Sequence, residues 1–329
     1  MSAEPDSIED VIAPDAPVID PHHHLWGPEK GYTPATYLLD ELAADIGSGH
    51  NVVATVYVEA GAGYRPDGPE RLQPVGETEA AVAAAQDAAA RGISTRVAAS
   101  IVAHADLSLG AGVAEVLEAH RAAAPERFHG IRDMVSPEWI TMDFTDHERR
   151  LVQPGFREGL ATLAEHDLSF DVYAFQTQLP DVLDTVRAFP DVTFVVNHLG
   201  GIVAIGPWQG KRDEMWPAWQ ADVSALGREP NVVMKLGGIN MHLAGFAWHK
   251  QRRLPSSDQL VAATGRYYHH AIEAFSPDRC MFESNFPPDK ISGSYRTLWN
   301  AFKKIASKYS DSEQDALLRG TAARVYRIS

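Results

Sequence analysis

Several features that would otherwise indicate the class of this protein are scarce in its sequence. The chain has a single cysteine, Cys280, so no disulfide can form within it, and a lone thiol in an apolar run is typical of the reducing cytoplasm. Lysine and arginine together number 29 against 44 aspartates and glutamates, which gives a formal net charge of −15. Nucleic acids and anionic membranes both need a basic face, so the charge balance argues against both partners.

Long apolar runs and a targeting signal are also missing. No run approaches the roughly 20 apolar residues of a membrane-spanning helix. The opening stretch MSAEPDSIEDVIAPDAP has neither the basic nor the apolar region of a signal peptide. We therefore expect a cytoplasmic protein in which residues 1–16 form a disordered or extended leader and residues 17–329 form one domain.

What the sequence does contain is a repeated alternation of short apolar runs with helical patterns. The runs lie at residues 16–24, 51–60, 94–103, 127–135, 168–175, 192–201, 231–239 and 279–285. Apolar strands flanked by helices indicate a parallel sheet covered on its outer face, and eight such units predict a (β/α)₈ TIM barrel. An open doubly wound sheet is the alternative, but the Gly-rich phosphate turn that normally follows its first strand is missing.

Histidines occur where predicted strands end. His22 and His24, in DPHHHLW, are two residues apart, so on a strand both side chains point to the same side. His198 lies at the end of TFVVNH in the sixth run, where the strand is expected to meet a loop. Because the active sites of barrels lie at the carboxyl ends of their strands, we expect the three histidines to share one layer. From the His-x-His pair alone, a metal or acid–base site and a pair of structural histidines are equally good interpretations.

Charged residues late in apolar strands are further candidates. They are the carboxylates Glu59, Asp171 and Glu283 and the cations Arg132 and Lys235. A buried charge is costly unless it is paired, so each is expected in a functional site or in an internal ion pair. For Arg132 we favour a clamp on a substrate carboxylate or on a developing oxyanion. For Lys235 a site role and an ion pair with Asp171 both remain open.

Five motifs in this order resemble the amidohydrolase-related family. They are VIDPHHHLW, FHGIRD, VVNHLGG, NVVMKLGGI and RCMFESNFP, and the resemblance runs from Val18 to Ile328. The chain is most similar to the branch that contains sugar lactonases and 2-pyrone-4,6-dicarboxylate lactonase. The resemblance implies a single-domain TIM barrel that hydrolyses a lactone or related cyclic ester of a small carboxylated or sugar-like substrate, and it leaves a homo-oligomer open.

The resemblance also assigns residues. The family's His-x-His matches His22 and His24 and its sixth-strand histidine matches His198, which implies either one divalent, Zn²⁺-like ion on these residues or, as in some lactonases of the branch, no ion. A two-metal site is not expected, because FHGIRD offers no lysine for carboxylation. Arg132 matches a family arginine that contacts an anionic or carbonyl oxygen.

The sequence departs from the family pattern at Asn285, where the family has the aspartate that activates water. An amide has no basic lone pair at neutral pH and is a weak metal ligand. The base is then Glu283, Glu59 or one of the histidines; or the reaction is a decarboxylation or lactone isomerisation; or the barrel only binds ligands. The candidate catalytic residues are His22, His24, His198, Asn285, Glu283 and Glu59, and the candidate substrate-binding residues are Arg132, Asp171 and Lys235.

Overall fold

The computed structural model describes residues 9–135 and 149–329. Its eight strands form one parallel sheet in chain order: β1 Pro17–His23, β2 Asn51–Val58, β3 Arg96–His104, β4 Phe128–Met134, β5 Ser169–Tyr173, β6 Phe194–Val196, β7 Val232–Leu236 and β8 Cys280–Phe282. A parallel bridge between His23 and Phe286 joins β1 to the segment after β8. The predicted (β/α)₈ barrel is confirmed, and the open doubly wound sheet is wrong.

Helices lie between successive strands and after the last one. They are α1 Leu39–Ile46, α2 Val75–Ala90, α3 Ala114–Ala123, α4 Pro154–Glu165, α5 Leu179–Ala188, α6 Arg212–Leu226, α7 Ser257–Phe275, α8 Tyr295–Ala306, α9 Asp311–Asp315 and α10 Thr321–Val325. A π-helical turn, Ala316–Gly320, separates α9 from α10. Within the described ranges, no helix combines the length and the apolar character that a membrane crossing requires.

The sixth strand is much shorter than its apolar run. The run extends to residue 201, but β6 ends at Val196 because the backbone of His198, Leu199 and Gly200 turns into the left-handed region, with φ of 56°, 53° and 73°. Left-handed residues cannot continue a strand. The turn leaves His198 at the carboxyl end of the barrel.

The interior of the barrel is layered. An apolar layer contains side chains such as Val56, Val195 and Met281 and is completed by Tyr326 from the segment after α10. A larger apolar cluster packs the outer faces of the strands against the helices. Polar side chains near the carboxyl ends of the strands complete the interior, and they form the site described next.

The first described residues pack against α7 and α8. Glu9 accepts hydrogen bonds from the backbone N–H of Ser257 (2.7 Å) and from Asn300 (3.2 Å). Lys303 donates to the carbonyl of Ala13 at 2.7 Å. Residues 1–8 of the predicted leader lie outside the described residues.

Candidate active site

A large cavity opens at the carboxyl ends of the strands, with a volume of about 830 Å³. Its lining side chains come from several βα loops and from the carboxyl ends of β4 and β5, as expected of a barrel active site. They are His24, Trp26, Tyr32, Thr33, Ala60, Arg132, Met134, Tyr173, His198, Met241, His242, His249, Leu254, Asn285, Pro288 and Ile291. The candidate residues His24, Arg132, His198 and Asn285 are therefore at the cavity wall.

The His-x-His pair places two imidazole nitrogens face to face. The Nε2 atoms of His22 and His24 are 3.2 Å apart. The Nδ1 of His24 lies 2.8 Å from the carbonyl oxygen of Val58. A carbonyl can only accept, so Nδ1 carries the hydrogen and Nε2 of His24 presents its lone pair to His22. His23 points away and contacts Thr55 at 2.9 Å.

Glu283 lies between two histidines from different strands. Its Oε1 is 2.6 Å from Nδ1 of His198 and accepts the backbone N–H of His198 at 3.1 Å. Its Oε2 lies 2.7 Å from Nδ1 of His22. Two consecutive glycines after β7 make room for this arrangement: a Cβ at Gly237 would fall 2.4 Å from the Glu283 side chain, and one at Gly238 would fall 2.4 Å from the ring of His198.

Arg132 is bound by Glu59. The Arg132 Nε donates to Glu59 Oε1 at 2.7 Å, and its Nη2 donates to the Glu59 backbone carbonyl. Its Nη1 lies 3.3 Å from Nε2 of His22. Both side chains of this ion pair are 5% exposed. The Glu59 carboxylate thus neutralises the guanidinium and holds it beside the His-x-His pair.

Asp171 and Lys235 form an ion pair beneath the histidines. Lys235 Nζ lies 2.8 Å from Asp171 Oδ2, and both side chains are fully buried. Tyr326 and Asn197 donate to the same carboxylate. Lys235 Nζ also lies 3.2 Å from Nδ1 of His22. The geometry therefore selects the ion pair, and the structure does not bring either residue to the cavity wall, where the sequence had placed them as candidate substrate contacts.

A carboxyl group that the sequence did not point to lies behind Asn285. The Asn285 Nδ2 donates to Asp289 Oδ2 at 3.2 Å, and the Asp289 side chain is buried. Asn285 has φ of 51°, a left-handed conformation that asparagine adopts more readily than most residues. Burial raises the pKa of Asp289 well above its ordinary value. The amide at position 285 is thus supported by a carboxyl group four residues later.

The two histidines of the pair are neutral at physiological pH. Burial is the main cause that lowers the pKa of His22 well below its ordinary value, and the charge of Lys235 adds to it. Burial and the charge of Arg132 lower the pKa of His24 in the same way. Neutral imidazoles are the form that binds metal ions or accepts protons.

The donor atoms fit one divalent ion. In a tetrahedral zinc site with Zn–N bonds of about 2.0–2.1 Å, two ligand nitrogens are roughly 3.3 Å apart, close to the 3.2 Å between the Nε2 atoms of His22 and His24. The bond from His24 to Val58 is the kind of outer contact that orients a ligating histidine. His22, His198 and Glu283 form a second possible donor group, with one ligand atom of each within 4.8 Å of the others.

Position along the strands accounts for which residues were found from sequence. His22 and His198 meet in one layer as expected, with their rings 4.6 Å apart. Glu283 lies two residues after the inward Met281 of β8, whereas His198 is turned inward by the left-handed backbone after β6. Asp289 was missed because it follows two prolines in a loop, where no strand parity applies. Its spacing of four residues from Asn285, within SNFPPDK, was the available signal.

Comparison with known proteins gives a family match over almost the whole chain. The sequence model of a family described as amidohydrolase matches residues 19–328. An uncharacterised protein of Sinorhizobium fredii is 32% identical, over 95% of this chain and 99% of its own length.

Relatives with a stated activity or a bound metal are more distant. An L-fucono-1,5-lactonase of Burkholderia multivorans is 30% identical over 61% of this chain and 64% of its own length. A crystal structure of an amidohydrolase from the same species, with bound zinc, is 26% identical, covers 95% of this chain and 100% of that one, and superposes with a TM-score of 0.73.

Proposed function

Because this chain belongs to the amidohydrolase family, we propose that it is a hydrolase of the lactonase type, opening a cyclic ester with a water molecule. The observation that carries the proposal is the Glu283 carboxylate, placed between Nδ1 of His198 and Nδ1 of His22 at the floor of the cavity. A lactonase-named relative at 30% identity supports the same reaction class.

His198 is the general base in this proposal. Its Nδ1 donates to Glu283 Oε1 at 2.6 Å, which leaves Nε2 to accept the proton of a water in the cavity. The carboxylate fixes the tautomer and stabilises the imidazolium that forms. A positioned base of this kind contributes about 10²–10⁴ in rate. The pair of His198 and Glu283 therefore supplies the general base that the amide of Asn285 cannot provide.

The bond changes balance without a co-reactant. The water oxygen bonds to the ester carbonyl carbon while Nε2 of His198 takes the water proton, and the ring C–O bond then breaks. The proton passes from His198 to the alkoxide leaving group, so the base is regenerated. The product is a hydroxy acid that ionises near neutral pH and releases one proton to solvent.

The remaining groups at the wall orient the ester. Arg132 lines the cavity and, although paired with Glu59, retains a guanidinium edge beside His22. The amide of Asn285, held by Asp289, hydrogen-bonds the water or the substrate. A divalent ion, when bound, would be held by Nε2 of His22 and of His24 and would polarise the ester carbonyl as a Lewis acid.

The test is proton release by the purified protein across a panel of lactones, with and without a chelator. We expect turnover on at least one lactone, and a fall of about 10²-fold or more in kcat for Glu283→Gln. Glu118→Gln, a change at an exposed carboxylate, is the matched control. Hydrolysis of no lactone, or full activity of Glu283→Gln, would reject the proposal. Loss of activity on chelation would assign an ion to the histidine pair.

We also propose a cytoplasmic location. The single cysteine, Cys280, is fully buried and unpaired, which supports a protein that does not depend on an oxidising compartment. Retention of activity and of the melting temperature in millimolar thiol is the expected result.

A further inference from the structure

The cavity wall is mostly apolar and aromatic beyond the reacting groups. Trp26, Tyr32 and Tyr173 present rings, and Met134, Met241 and Leu254 present thioether and aliphatic surface. The rings of Trp26 and Tyr32 pack edge to face, 5.2 Å apart. Tyr173 and Met241 belong to a separate apolar cluster at this end of the barrel, against which Met134 packs. Such walls bind ligands by removing apolar surface from water.

The buried polar side chains on the wall are committed to the reaction or to each other, whereas three further polar lining residues, Thr33, His242 and His249, are exposed or half-buried. His24, His198 and Asn285 belong to the site already described. The charge of Arg132 is neutralised by Glu59 at 2.7 Å, so it offers no free cation to a substrate carboxylate. Among the described residues, the lining set holds no aspartate or glutamate to accept hydrogen bonds from substrate hydroxyls.

Sugar lactones need hydrogen-bonding side chains in the cavity wall, whereas apolar lactones need apolar ones. A hydroxyl that loses water and finds no partner weakens binding, whereas an alkyl or aryl group gains from the same surface. At about 830 Å³ the cavity also has room for a ring with a large substituent.

We propose that the substrate of this site is a lactone with an apolar, uncharged body, alkyl or aryl, and not a polyhydroxylated sugar lactone. This inference rests on the proposed lactonase reaction. It separates the chain from the relative that it partly resembles, whose name, L-fucono-1,5-lactonase, states a sugar lactone as the substrate.

The first experiment compares two six-membered lactones, an alkyl-substituted δ-lactone and an aldono-1,5-lactone. Each kcat/KM is divided by the rate constant of uncatalysed hydrolysis of the same compound, because the two rings differ in reactivity. We expect this ratio to favour the alkyl lactone by at least about 100-fold. An equal or higher ratio for the aldonolactone overturns the proposal.

The second experiment changes the wall. Leu254→Asn and Met134→Gln alter half-buried positions that line the cavity, so the variants should fold. We expect each to raise KM for the alkyl lactone about tenfold while kcat changes less than threefold. Leu109→Asn, at an exposed leucine, is the matched control. Unchanged KM in both wall variants would contradict the inference.

Binding of poorly hydrolysed analogues separates this inference from the lactonase proposal. Calorimetric titration with an alkyl δ-lactam and with a polyhydroxylated δ-lactam measures the affinity of the cavity for each ring, independently of hydrolysis. If no lactone is hydrolysed but the alkyl lactam binds at least tenfold more tightly, the reaction is rejected and the inference about the wall stands. If the polyhydroxylated lactam binds equally or more tightly, the inference is overturned whatever the reaction.

Discussion

At position 285 an amide lies at the cavity wall, and its Nδ2 donates a hydrogen bond to the carboxyl group of Asp289, 3.2 Å away. In the proposed mechanism Glu283 is the partner of His198, so no aspartate is needed at position 285, and Asp289 fixes the amide that stands there. Both carboxyl groups come from the same short stretch of chain.

Asn285→Asp is the direct test of this arrangement. The new carboxyl would lie beside the buried Asp289, and two such groups cannot both ionise at hydrogen-bond distance. We expect a loss of about 1–3 kcal/mol in the free energy of unfolding and about tenfold or more in kcat. Denaturant unfolding and steady-state kinetics measure the two effects.

Asn51→Asp, at an exposed asparagine, is the control for adding a carboxylate. A rise in turnover of Asn285→Asp, accompanied by tighter metal binding, would show instead that the amide disables an ancestral site.

Most residues of the candidate site could be predicted from the sequence alone. The two-residue spacing of His22 and His24 puts both side chains on one side, and Glu283 lies two residues after the inward Met281, which are relations that can be read from the sequence. His198 was found from its place where an apolar run meets a loop, because the turn that brings its ring inward breaks the strand parity. The side-chain pairings could not be read in the same way. Whether Glu59 is a base or the partner of Arg132 depends on rotamers and neighbours across strands, which a linear pattern does not encode.

At the scale of elements, α2 is tied to the loop after β2 by one buried carboxyl group. Glu77 accepts from the hydroxyl of Tyr57 (2.8 Å) and from the backbone N–H groups of Ala60 (2.7 Å) and Ala62 (3.2 Å). Burial, together with the nearby charge of Glu59, raises the pKa of Glu77 from 4.5 to about 7. The helix thereby holds the loop from which Glu59 reaches Arg132.

The raised pKa gives a prediction for the pH dependence of stability. A carboxyl group with a higher pKa in the folded state stabilises the fold while it is protonated, so its contribution is complete below pH 4.5 and is lost as the pH rises through about 7. Between pH 4.5 and about 7 this group should lower the free energy of unfolding of the wild type by up to about 3 kcal/mol, and we expect Glu77→Gln to lose this change. Urea unfolding of both proteins at several pH values measures it, and parallel curves would contradict the assignment.

Element boundaries were predicted well where apolar periodicity is strong. The sequence predicts a helix over residues 257–275, and this range coincides with α7. The sequence does not predict α1, which has only eight residues, and it predicts one helix over residues 312–326, which the π-helical turn divides. A short helix offers too few turns for a periodic signal, and a change in helical hydrogen bonding leaves the apolar pattern almost unaltered.

At the scale of the whole molecule, a buried ion pair lies across the barrel interior between β5 and β7. Asp171 and Lys235 are fully buried, and Tyr326, from the far end of the chain, donates to the carboxylate at 2.9 Å. The pair thus joins the carboxyl-terminal segment to the floor of the cavity. The eight-unit alternation predicted the barrel, but the sequence left this pair as one of two interpretations because burial on both strands had to be known to decide.

Removing one member of the pair should destabilise the entire barrel. Lys235→Met leaves the Asp171 carboxylate buried without its cation, and we expect a loss of about 3–5 kcal/mol in the free energy of unfolding. The double variant Lys235→Met/Asp171→Asn is the matched control and should recover much of the loss, since no uncompensated charge remains. A single variant as stable as the wild type would refute the structural role of the pair.

The most direct test of the central claim, that His198 and Glu283 act together as the base, is a double-mutant cycle on kcat for the best lactone. The four proteins are the wild type, His198→Asn, Glu283→Gln and the double variant. Because Glu283 Oε1 lies 2.6 Å from Nδ1 of His198, we predict that the double variant is no slower than the slower single variant. Independent, multiplicative losses would show that the two residues do not form one catalytic unit and would contradict the account.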